Sequence, residues 1–248
     1  MRPAVAQDMK IDIWSDVVCP FCYIGKRRLE QALESFPHRD QVEIVWHSFQ
    51  LDPTAPATST ETTTEHLSRK YGTDLEQARQ MNARIERMAA EVGLEYHLEE
   101  ARLGNTFDAH RLIHLATTQG LAGAAHERFM RGYFTEREQI GDHDTLVRLA
   151  TDVGLEEARV REVLAGDEFA DAVHQDVARA QAYGATGVPF FVLAEAVGVS
   201  GAQPVEVFSQ ALEQAWAKAN PLQMVGAGAT TGTGRQDGDG CQDGSCSV

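Results

Sequence analysis

Asp16-Val-Val-Cys-Pro-Phe-Cys-Tyr-Ile-Gly25 contains two cysteines, Cys19 and Cys22, at the point where a strand pattern changes into a helix pattern. The stretch before it, residues 9–17, alternates apolar and polar residues and is enriched in β-branched side chains, which predicts a strand. From Cys22 onward, apolar residues recur at helical spacing. Pro20 suits the first turn of a helix, because its missing N–H has no intrahelical partner there. The sequence therefore predicts that Cys19 lies at a helix N-terminus.

This position predicts that Cys19 is the attacking thiol. A helix N-terminus offers free amide N–H groups and the positive end of the helix dipole, which favour a thiolate over a thiol. Cys22 follows one turn later, where it can attack a mixed disulfide on Cys19 and release the substrate. Pro20 and Phe21 between them supply no imidazole to stabilise the thiolate further. We therefore expect a less oxidising pair than one with histidine between its cysteines.

Length and charge limit the class of protein. The chain has 248 residues, of which 43% are hydrophobic, and this is enough for one large domain or two interlocked ones. Its net charge of −15 makes nucleic acid and anionic membrane surfaces unattractive partners. Residues 1–8 lack the apolar segment of a signal peptide, and no stretch approaches the roughly 18 apolar residues of a membrane span. We expect a soluble cytoplasmic protein.

The four cysteines form two close pairs, Cys19/Cys22 and Cys241/Cys246. Two such pairs do not make a structural disulfide framework for a chain of this size, and in a reducing compartment they are more often catalytic or metal-binding. The second pair lies in residues 223–248, whose Gly-, Thr- and Asp-rich composition predicts a flexible tail. We hypothesise that Cys241/Cys246 is a second redox pair that exchanges with the first.

Working outward from the motif, a second strand is predicted over 42–51 and is expected to be buried on both faces. With the first helix it makes a βαβ unit with parallel strands. Strand character returns at 186–193 and 197–199 as an expected hairpin, and Pro204 suits the first turn of a last helix. This order predicts a small mixed sheet with helices on both sides.

The middle of the chain, residues 56–184, shows almost no strand signal. Its helical stretches end in glycines that suit helix C-caps. These glycines are Gly72, Gly93, Gly120, Gly154 and Gly184. We therefore predict an α/β fold in which 8–55 and 185–222 form one discontinuous domain and 56–184 is an inserted helical subdomain.

One helix of this insertion is better defined than the others. Asn105, with Asp108 three residues later, resembles a capping arrangement for a helix over 106–115. The two histidines of this helix lack the carboxylate pattern of a metal site, and His114 is predicted to be solvated or locally hydrogen-bonded. No metal or cofactor is expected.

Together these features resemble the DsbA family of thiol–disulfide oxidoreductases, which has a thioredoxin-like fold (βαβ…ββα). The resemblance rests on Cys19-Pro-Phe-Cys22, on a Val188-Pro189 step that opens a later strand, and on the helical insertion between them. Four stretches also look like the cytoplasmic FrnE-like subgroup. They are Ser15-Asp-Val-Val-Cys-Pro-Phe-Cys-Tyr-Ile-Gly25, Phe49-Gln-Leu-Asp-Pro53, Asn105-Thr-Phe-Asp-Ala-His-Arg111 and Ser200-Gly-Ala-Gln-Pro204.

The resemblance implies a cis Val188–Pro189 bond, with the Val188 backbone turned toward the thiols as a docking edge for an extended substrate segment. Pro189 thereby joins the two cysteines as a site residue. The family's helix carrying Asn105 and Arg111 faces the redox site, so these two either line the substrate groove or act as a cap and a surface cation. The expected substrate contacts are Pro20, Phe21, Val188, Asn105 and Arg111.

Three functions remain open. The first is a disulfide oxidoreductase or isomerase acting on protein thiols and disulfides, recycled by glutathione or thioredoxin in a cytosol under oxidative stress. The second is a glutathione-dependent transferase or isomerase similar to kappa-class relatives, which generally have serine in place of Cys19 and need no Cys22. The third is a zinc protein that uses all four cysteines. Cys22 favours the first, because it releases a trapped mixed disulfide.

Overall fold

The computed structural model describes residues 8–221, so the Cys241/Cys246 pair lies outside the described residues. The strands and helices, in chain order, are β1 (Met9–Ser15), α1 (Pro20–Glu34), β2 (Val42–Ser48), α2 (Thr63–Tyr71), α3 (Leu75–Ala90), α4 (Phe107–Thr117), α5 (Ala122–Phe134), α6 (His143–Asp152), α7 (Glu157–Ala165), α8 (Ala170–Ala182), β3 (Phe190–Leu193), β4 (Val197–Ser200) and α9 (Val205–Ala219).

The four strands form one mixed sheet in the order β2-β1-β3-β4. β1 and β2 are parallel and are joined through α1, which confirms the predicted βαβ unit. β3 runs antiparallel to β1, and β4 antiparallel to β3, which confirms the predicted hairpin. Helices α2–α8 lie between β2 and β3 in the chain. The predicted α/β, thioredoxin-like class with a helical insertion is therefore correct.

The prediction for β2 was wrong about its burial and its end. The strand stops at Ser48, and Glu43 and Ile44 are exposed, whereas His47 and Ser48 are buried. β2 lies at the edge of the sheet, so only β1 pairs with it. The irregular apolar pattern over 42–51 therefore belongs to an edge strand that becomes buried only toward its end.

Two other element boundaries shift by a few residues. β3 begins at Phe190, later than the start of the predicted strand over 186–193. α9 begins at Val205, and Pro204 is its N-cap and not its first helical residue. Since both boundaries adjoin proline, which fixes one dihedral angle and lacks an N–H, the local pattern places them only approximately.

All five glycines predicted as C-caps have positive φ, but only Gly72 is itself the C-cap of its helix. The other four follow the C-cap by one or two residues, and those C-caps are Glu91, Thr118, Val153 and Tyr183. The capping arrangement predicted for α4 was wrong. The N-cap is Thr106, and Asn105 Oδ1 instead accepts a hydrogen bond of 2.9 Å from the Phe107 amide. Asp108 pairs with Arg111 and His143, and so does not complete a capping box.

Two apolar cores meet at the start of α1. The first packs the sheet against α1 and α9, and includes Ile11, Ile13, Leu29, Phe191, Phe208 and Leu212. The second fills the helical insertion, and it extends to Cys19, Cys22, Tyr23 and Ile24 at the beginning of α1. The cysteine motif therefore lies at the junction between the sheet and the inserted helices.

Candidate active site

Cys19 is the N-cap of α1, as the position of Pro20 predicts. Its backbone is extended, its amide donates to the Asp16 carbonyl at 3.0 Å, and its carbonyl accepts from the Cys22 amide at 3.0 Å. These bonds hold the Cys19 sulfur at the N-terminus of α1, where free N–H groups favour an anion. Both cysteines are free thiols in this structure.

Cys22 lies one turn further along α1 and is 2% exposed. Burial, together with the neighbouring Cys19 thiol, raises the pKa of Cys22 well above its ordinary value. The Asp16 amide and the Ser15 hydroxyl act on the same sulfur in the opposite direction and lower that pKa. The pair is therefore asymmetric, with Cys22 held as a protonated thiol behind Cys19.

The Val188–Pro189 bond is cis, and the Val188 carbonyl lies 3.6 Å from Cys19 Sγ. α1 comes close to this loop because residue 25 is glycine. A Cβ at Gly25 would lie 3.1 Å from the Pro189 ring and 3.3 Å from the Phe191 ring. The backbone of Val188 therefore lies beside the Cys19 sulfur, as the family resemblance implies.

Tyr96 also holds the motif, although the sequence pattern did not single it out. Its hydroxyl donates to the Pro20 carbonyl at 2.9 Å, and the ring stacks on Phe134 of α5. Burial and the nearby Cys19 raise the pKa of Tyr96, so the hydroxyl stays protonated. The helical insertion therefore fixes the first turn of α1 through a donor that no local signal identifies.

A cavity of about 790 Å³ opens beside the motif. Cys19, Pro20, Phe21 and Val188 all line it, whereas Cys22 does not. Four of the eight exposed large apolar side chains in residues 8–221 also line it, a concentration typical of a binding surface. They are Phe21, Leu51, Tyr71 and Met81.

The structure places Asn105 and Arg111 outside the lining of this cavity. Asn105 donates to the carbonyls of Pro53 and Ala55, and so supports from behind the loop that forms one wall. Arg111 is 3% exposed, so it is not a surface cation. Its guanidinium donates to the carbonyls of Val163, Gly166 and Glu168 and pairs with Asp108, which ties α4 to the α7–α8 connection.

A buried Asp16–His110 pair adjoins the thiols, and neither residue is among the site residues predicted from the sequence. Asp16 Oδ2 accepts from the Leu51 amide at 2.8 Å, and Asp16 Oδ1 lies 3.3 Å from His110 Nε2. Asp16 lines the cavity, whereas His110 is fully buried. The position of Asp16, three residues before Cys19, could have predicted that it lies near the thiols. Its contact with His110 could not be predicted from the sequence.

Neither a metal site nor a membrane-spanning helix is found among residues 8–221. Within that range no three His, Cys, Asp or Glu side chains are grouped to hold a metal ion. No helix there combines the length and the apolar character needed to cross a bilayer.

Fold and motif together define a thioredoxin-like dithiol site with a large helical insertion. The chain belongs to the family described as "DSBA-like thioredoxin domain", whose model matches residues 10–213. This membership places it among the DsbA-like oxidoreductases.

Three known proteins are similar to this chain in sequence or in fold. The chain is 28% identical to the uncharacterized protein YwbO of Bacillus subtilis (strain 168) over 82% of its own length and 94% of that protein. It is 47% identical to the probable DsbA oxidoreductase SCO1869 of Streptomyces coelicolor, with a TM-score of 0.83 over 88% of this chain and 94% of that one. It also shares its fold with the cytosolic disulfide reductase DsbM of Pseudomonas aeruginosa, solved with GSH, at 14% identity and a TM-score of 0.55 over 84% and 96%.

Proposed function

We propose that this protein exchanges disulfides with protein substrates through Cys19 and Cys22. The observation that carries the proposal is the position of the Cys19 sulfur. It lies at the N-terminus of α1, borders the cavity, and is 3.6 Å from the Val188 carbonyl. Cys22 is buried directly behind it. An attacking sulfur that borders a cavity, a docking edge and a protected resolving thiol are what dithiol exchange needs.

The proposed reaction in the reducing direction has two steps. The Cys19 thiolate attacks a substrate disulfide, so that a mixed disulfide forms and one substrate sulfur leaves as a thiolate. Cys22 then loses its proton and attacks the Cys19 sulfur, which forms the Cys19–Cys22 disulfide and releases the second substrate thiolate. Two electrons pass from the protein pair to the substrate. The oxidised pair runs the same steps backward, and isomerisation combines both directions.

The cavity supports a polypeptide substrate. An extended segment laid along the Val188 backbone next to Cys19 gains main-chain hydrogen bonds, while apolar side chains of the substrate enter the cavity wall formed by Leu51 and Met81. We assign Phe21, which is 39% exposed beside the thiols, to the same contact surface. Pro20 completes the surface, whereas Asn105 and Arg111 act behind it as structural supports.

The cavity also favours glutathione as the recycling reductant. Its volume of about 790 Å³ lies within the range of about 300–1,000 Å³ that holds small ligands. A relative of the same fold was solved with GSH. We therefore propose a cytoplasmic, FrnE-like enzyme that works under oxidative stress in the reductase or isomerase direction. A kappa-like transferase is disfavoured, because Cys19 stands where those relatives generally have serine.

The zinc alternative requires Cys241 and Cys246, which lie outside the described residues. Metal analysis of protein purified without chelator tests it. Stoichiometric zinc that protects Cys19 from alkylation would replace the redox proposal.

Trapping tests the redox proposal directly. In the Cys22→Ser variant the mixed disulfide on Cys19 is not resolved, so substrate proteins accumulate on that residue and are identified by mass spectrometry. The Cys19→Ser variant is the matched control and is expected to trap almost nothing. The wild type is expected to reduce insulin with glutathione or thioredoxin as the electron source. Capture of glutathione alone, with no protein on Cys19 and no insulin reduction, would favour a glutathione-specific enzyme instead.

A further inference from the structure

We propose that the cavity beside Cys19 binds a lysine side chain of the polypeptide substrate, whose ammonium group is held by unpaired oxygens of Tyr133, Thr106 and Asn82. The inference rests on the proposed function, because it names a class of substrate for that reaction. It adds three specificity-determining residues, all contributed by the helical insertion.

These three polar side chains are buried, yet all of them line the cavity. Tyr133 of α5 is 2% exposed, and Thr106, the N-cap of α4, and Asn82 of α3 are each 3% exposed. We call these three residues the polar floor. Much of the remaining lining is apolar, so a few buried polar groups stand out in it, as is typical of a ligand site.

The two hydroxyls of the polar floor are unpaired. Neither the Tyr133 hydroxyl nor the Thr106 hydroxyl makes a hydrogen bond to another group in residues 8–221. Within that range, the unpaired side-chain atoms that are fully enclosed belong to other residues, namely Asp12, Ser15, Thr73, His110 and His126. The Tyr133 and Thr106 hydroxyls are therefore not fully enclosed, and each faces the cavity that its residue lines.

Asn82 presents a carbonyl oxygen to the same cavity. Its Nδ2 lies 2.9 Å from Thr64 Oγ1 and 3.4 Å from Thr63 Oγ1. The Thr63 hydroxyl donates to the Leu98 carbonyl, so it accepts from Asn82, and this identifies which end of the amide is the nitrogen. Asn82 Oδ1 is thereby left without a partner among the described residues and is not fully enclosed.

The charge beside the polar floor is negative. The Asp16 carboxylate also lines the cavity. Burial raises the pKa of Tyr133, and the nearby Asp16 carboxylate raises it further, so this hydroxyl stays protonated and lies in the field of that charge. Thr106 is one helical turn before His110, whose Nε2 lies 3.3 Å from Asp16 Oδ1. A cation is favoured at this place and an anion is repelled.

The basic residues of the cavity rim do not cancel this preference. Arg69 makes two hydrogen bonds to the Glu61 carboxylate, at 2.9 and 2.8 Å, and His66 lies 3.9 Å from the same carboxylate. Lys70 is exposed, so water and salt screen its charge. The chain as a whole carries a net charge of −15, which attracts basic segments.

A lysine side chain matches both parts of this cavity. Its ammonium has three N–H donors and no acceptor, so it pairs with a carbonyl oxygen and two hydroxyl oxygens. Its apolar stem fits the wall that includes Val18, Ile85 and Leu98 while the charge reaches the polar floor. An apolar side chain would leave the three oxygens without partners, and a glutamate would bring a second negative charge next to Asp16.

Peptides of one sequence test this preference, each with its single cysteine joined to thionitrobenzoate as a mixed disulfide. Lysine, methionine, glutamate or trimethyllysine is placed in turn at each of the two positions on either side of the cysteine. The Cys19 thiolate bonds to the peptide sulfur, and thionitrobenzoate leaves as a coloured thiolate whose release gives the rate constant. At the best position, lysine is expected to react about tenfold faster than methionine, the size of one hydrogen bond to a charged group.

Trimethyllysine separates hydrogen bonding from charge. It keeps the positive charge and the apolar stem but has no N–H donor. It is expected to react within about threefold of methionine, since only the general attraction of the chain remains. Glutamate is expected to react more slowly than methionine.

Variants of the polar floor locate the preference. Tyr133→Phe and Thr106→Val each remove one hydroxyl at nearly constant size, and each should lower the lysine-to-methionine ratio from about tenfold to about threefold. Their reaction with Ellman's reagent should stay within about twofold of the wild type, because Cys19 keeps its helix N-terminus. Tyr71→Phe is the matched control. It removes an exposed hydroxyl from the same cavity and should keep the wild-type ratio.

Four results overturn the inference: equal rates for all peptides, a lysine preference that both floor variants retain, a preference that trimethyllysine shares, and a loss confined to glutathione disulfide measured in parallel. The last would assign the ammonium to the small disulfide. Should one variant fail to fold by circular dichroism, the other variant and the trimethyllysine peptide still decide. A wild type that reduces none of the peptides contradicts the proposed function itself, whereas equal reduction of all of them contradicts only the lysine preference.

Discussion

Two buried aspartate–histidine clusters join the sheet to the inserted helices, and they differ in how completely the histidine of each is hydrogen-bonded. In the first, His47 lies between Asp12 and Asp176, with 2.6 Å from each ring nitrogen to a carboxylate oxygen. Asp176 also accepts from the Ser48 amide at 2.8 Å and contacts His114 at 3.1 Å. In the second, Asp16 meets His110 at 3.3 Å, and His110 Nδ1 has no partner among the described residues.

This difference in hydrogen bonding indicates that the two clusters have different roles. A buried histidine with both ring nitrogens hydrogen-bonded stabilises one arrangement, whereas a histidine with an unpaired nitrogen remains available for chemistry. The Asp176–His47 cluster fastens α8 to β2, and Trp14 of β1 adds a hydrogen bond to the Asp176 carbonyl. The Asp16–His110 cluster lies against the cysteines. We therefore expect the first to govern stability and the second to govern the rate of exchange.

The largest expected effect on stability is at Asp176. Asp176→Ala leaves His47 Nδ1 and the Ser48 amide without their partner in the interior, and breaking a buried pair of this kind costs about 3–5 kcal/mol. Urea unfolding measures this loss, while the exchange rate per folded molecule stays at the wild-type value. The control is Asp171→Ala at an exposed site on the same helix, which should cost below about 1 kcal/mol. A loss at Asp176 no larger than at Asp171 would refute the stabilising role.

Packing at the thiol loop is expected to have the next largest effect. Gly25→Ala places a Cβ 3.1 Å from the Pro189 ring, and this overpacking should lower the free energy of unfolding by about 1–3 kcal/mol. Gly123→Ala in α5 is the control, because its Cβ meets only an ordinary contact of 3.6 Å with Trp46. That variant should be neutral or more stable by up to about 1 kcal/mol. Thermal unfolding of both variants shows whether the loss at Gly25 comes from overpacking or from a general effect of replacing glycine in a helix.

Glu127 also joins two elements, α1 and α5, but it does so from a partly exposed position, unlike the two buried clusters. It pairs with Lys26 and Arg27 and accepts from the Tyr23 hydroxyl. Burial by itself opposes ionisation, but these partners outweigh it and lower the pKa of Glu127 to about 2. Glu127→Gln should cost about 1–2 kcal/mol at neutral pH, the pKa-derived value discounted for solvent exposure.

The pH dependence at Glu127 has a defined sign. Since the folded-state pKa lies below the ordinary value of 4.5, the stabilisation is present above pH 4.5 and is lost as pH falls toward 2. Wild-type stability should therefore fall more steeply in that window than the stability of Glu127→Gln. Glu157→Gln, which removes an exposed pair with Arg161, should leave the slope unchanged. Parallel slopes for wild type and Glu127→Gln would contradict the assignment.

The smallest expected effect is at Tyr96. Tyr96→Phe removes the hydrogen bond to the Pro20 carbonyl and should cost about 1 kcal/mol. Because that bond holds the first turn of α1, the change should also alter the rate of Cys19 alkylation by about twofold to fivefold, as a difference of up to about 1 kcal/mol does. Tyr71→Phe, on the exposed cavity rim, should change neither quantity. Equal behaviour of the two variants would show that the Tyr96 hydroxyl does not order the motif.

Much of the fold was predictable because its signals are local. Pro20 and the apolar spacing after Cys22 located the start of α1, and the glycines after the helices of the insertion located their ends. What failed depended on neighbours distant in sequence. The burial of β2 depends on its edge position, and the cap of α4 depends on Asp108 being taken by Arg111 and His143.

The amino-acid sequence by itself determined the βαβ…ββα order, the helical insertion, and the place of Cys19 and Cys22 at the start of α1, because periodicity, proline and glycine act within a few residues of the chain. Only the tertiary structure decided what surrounds the sulfurs. Tyr96 and His110 reach the motif from the inserted helices, and Arg111 is directed away from the cavity into carbonyls of the α7–α8 region. Burial and hydrogen-bond pairing are properties of segments brought together in space, so no local pattern encodes them.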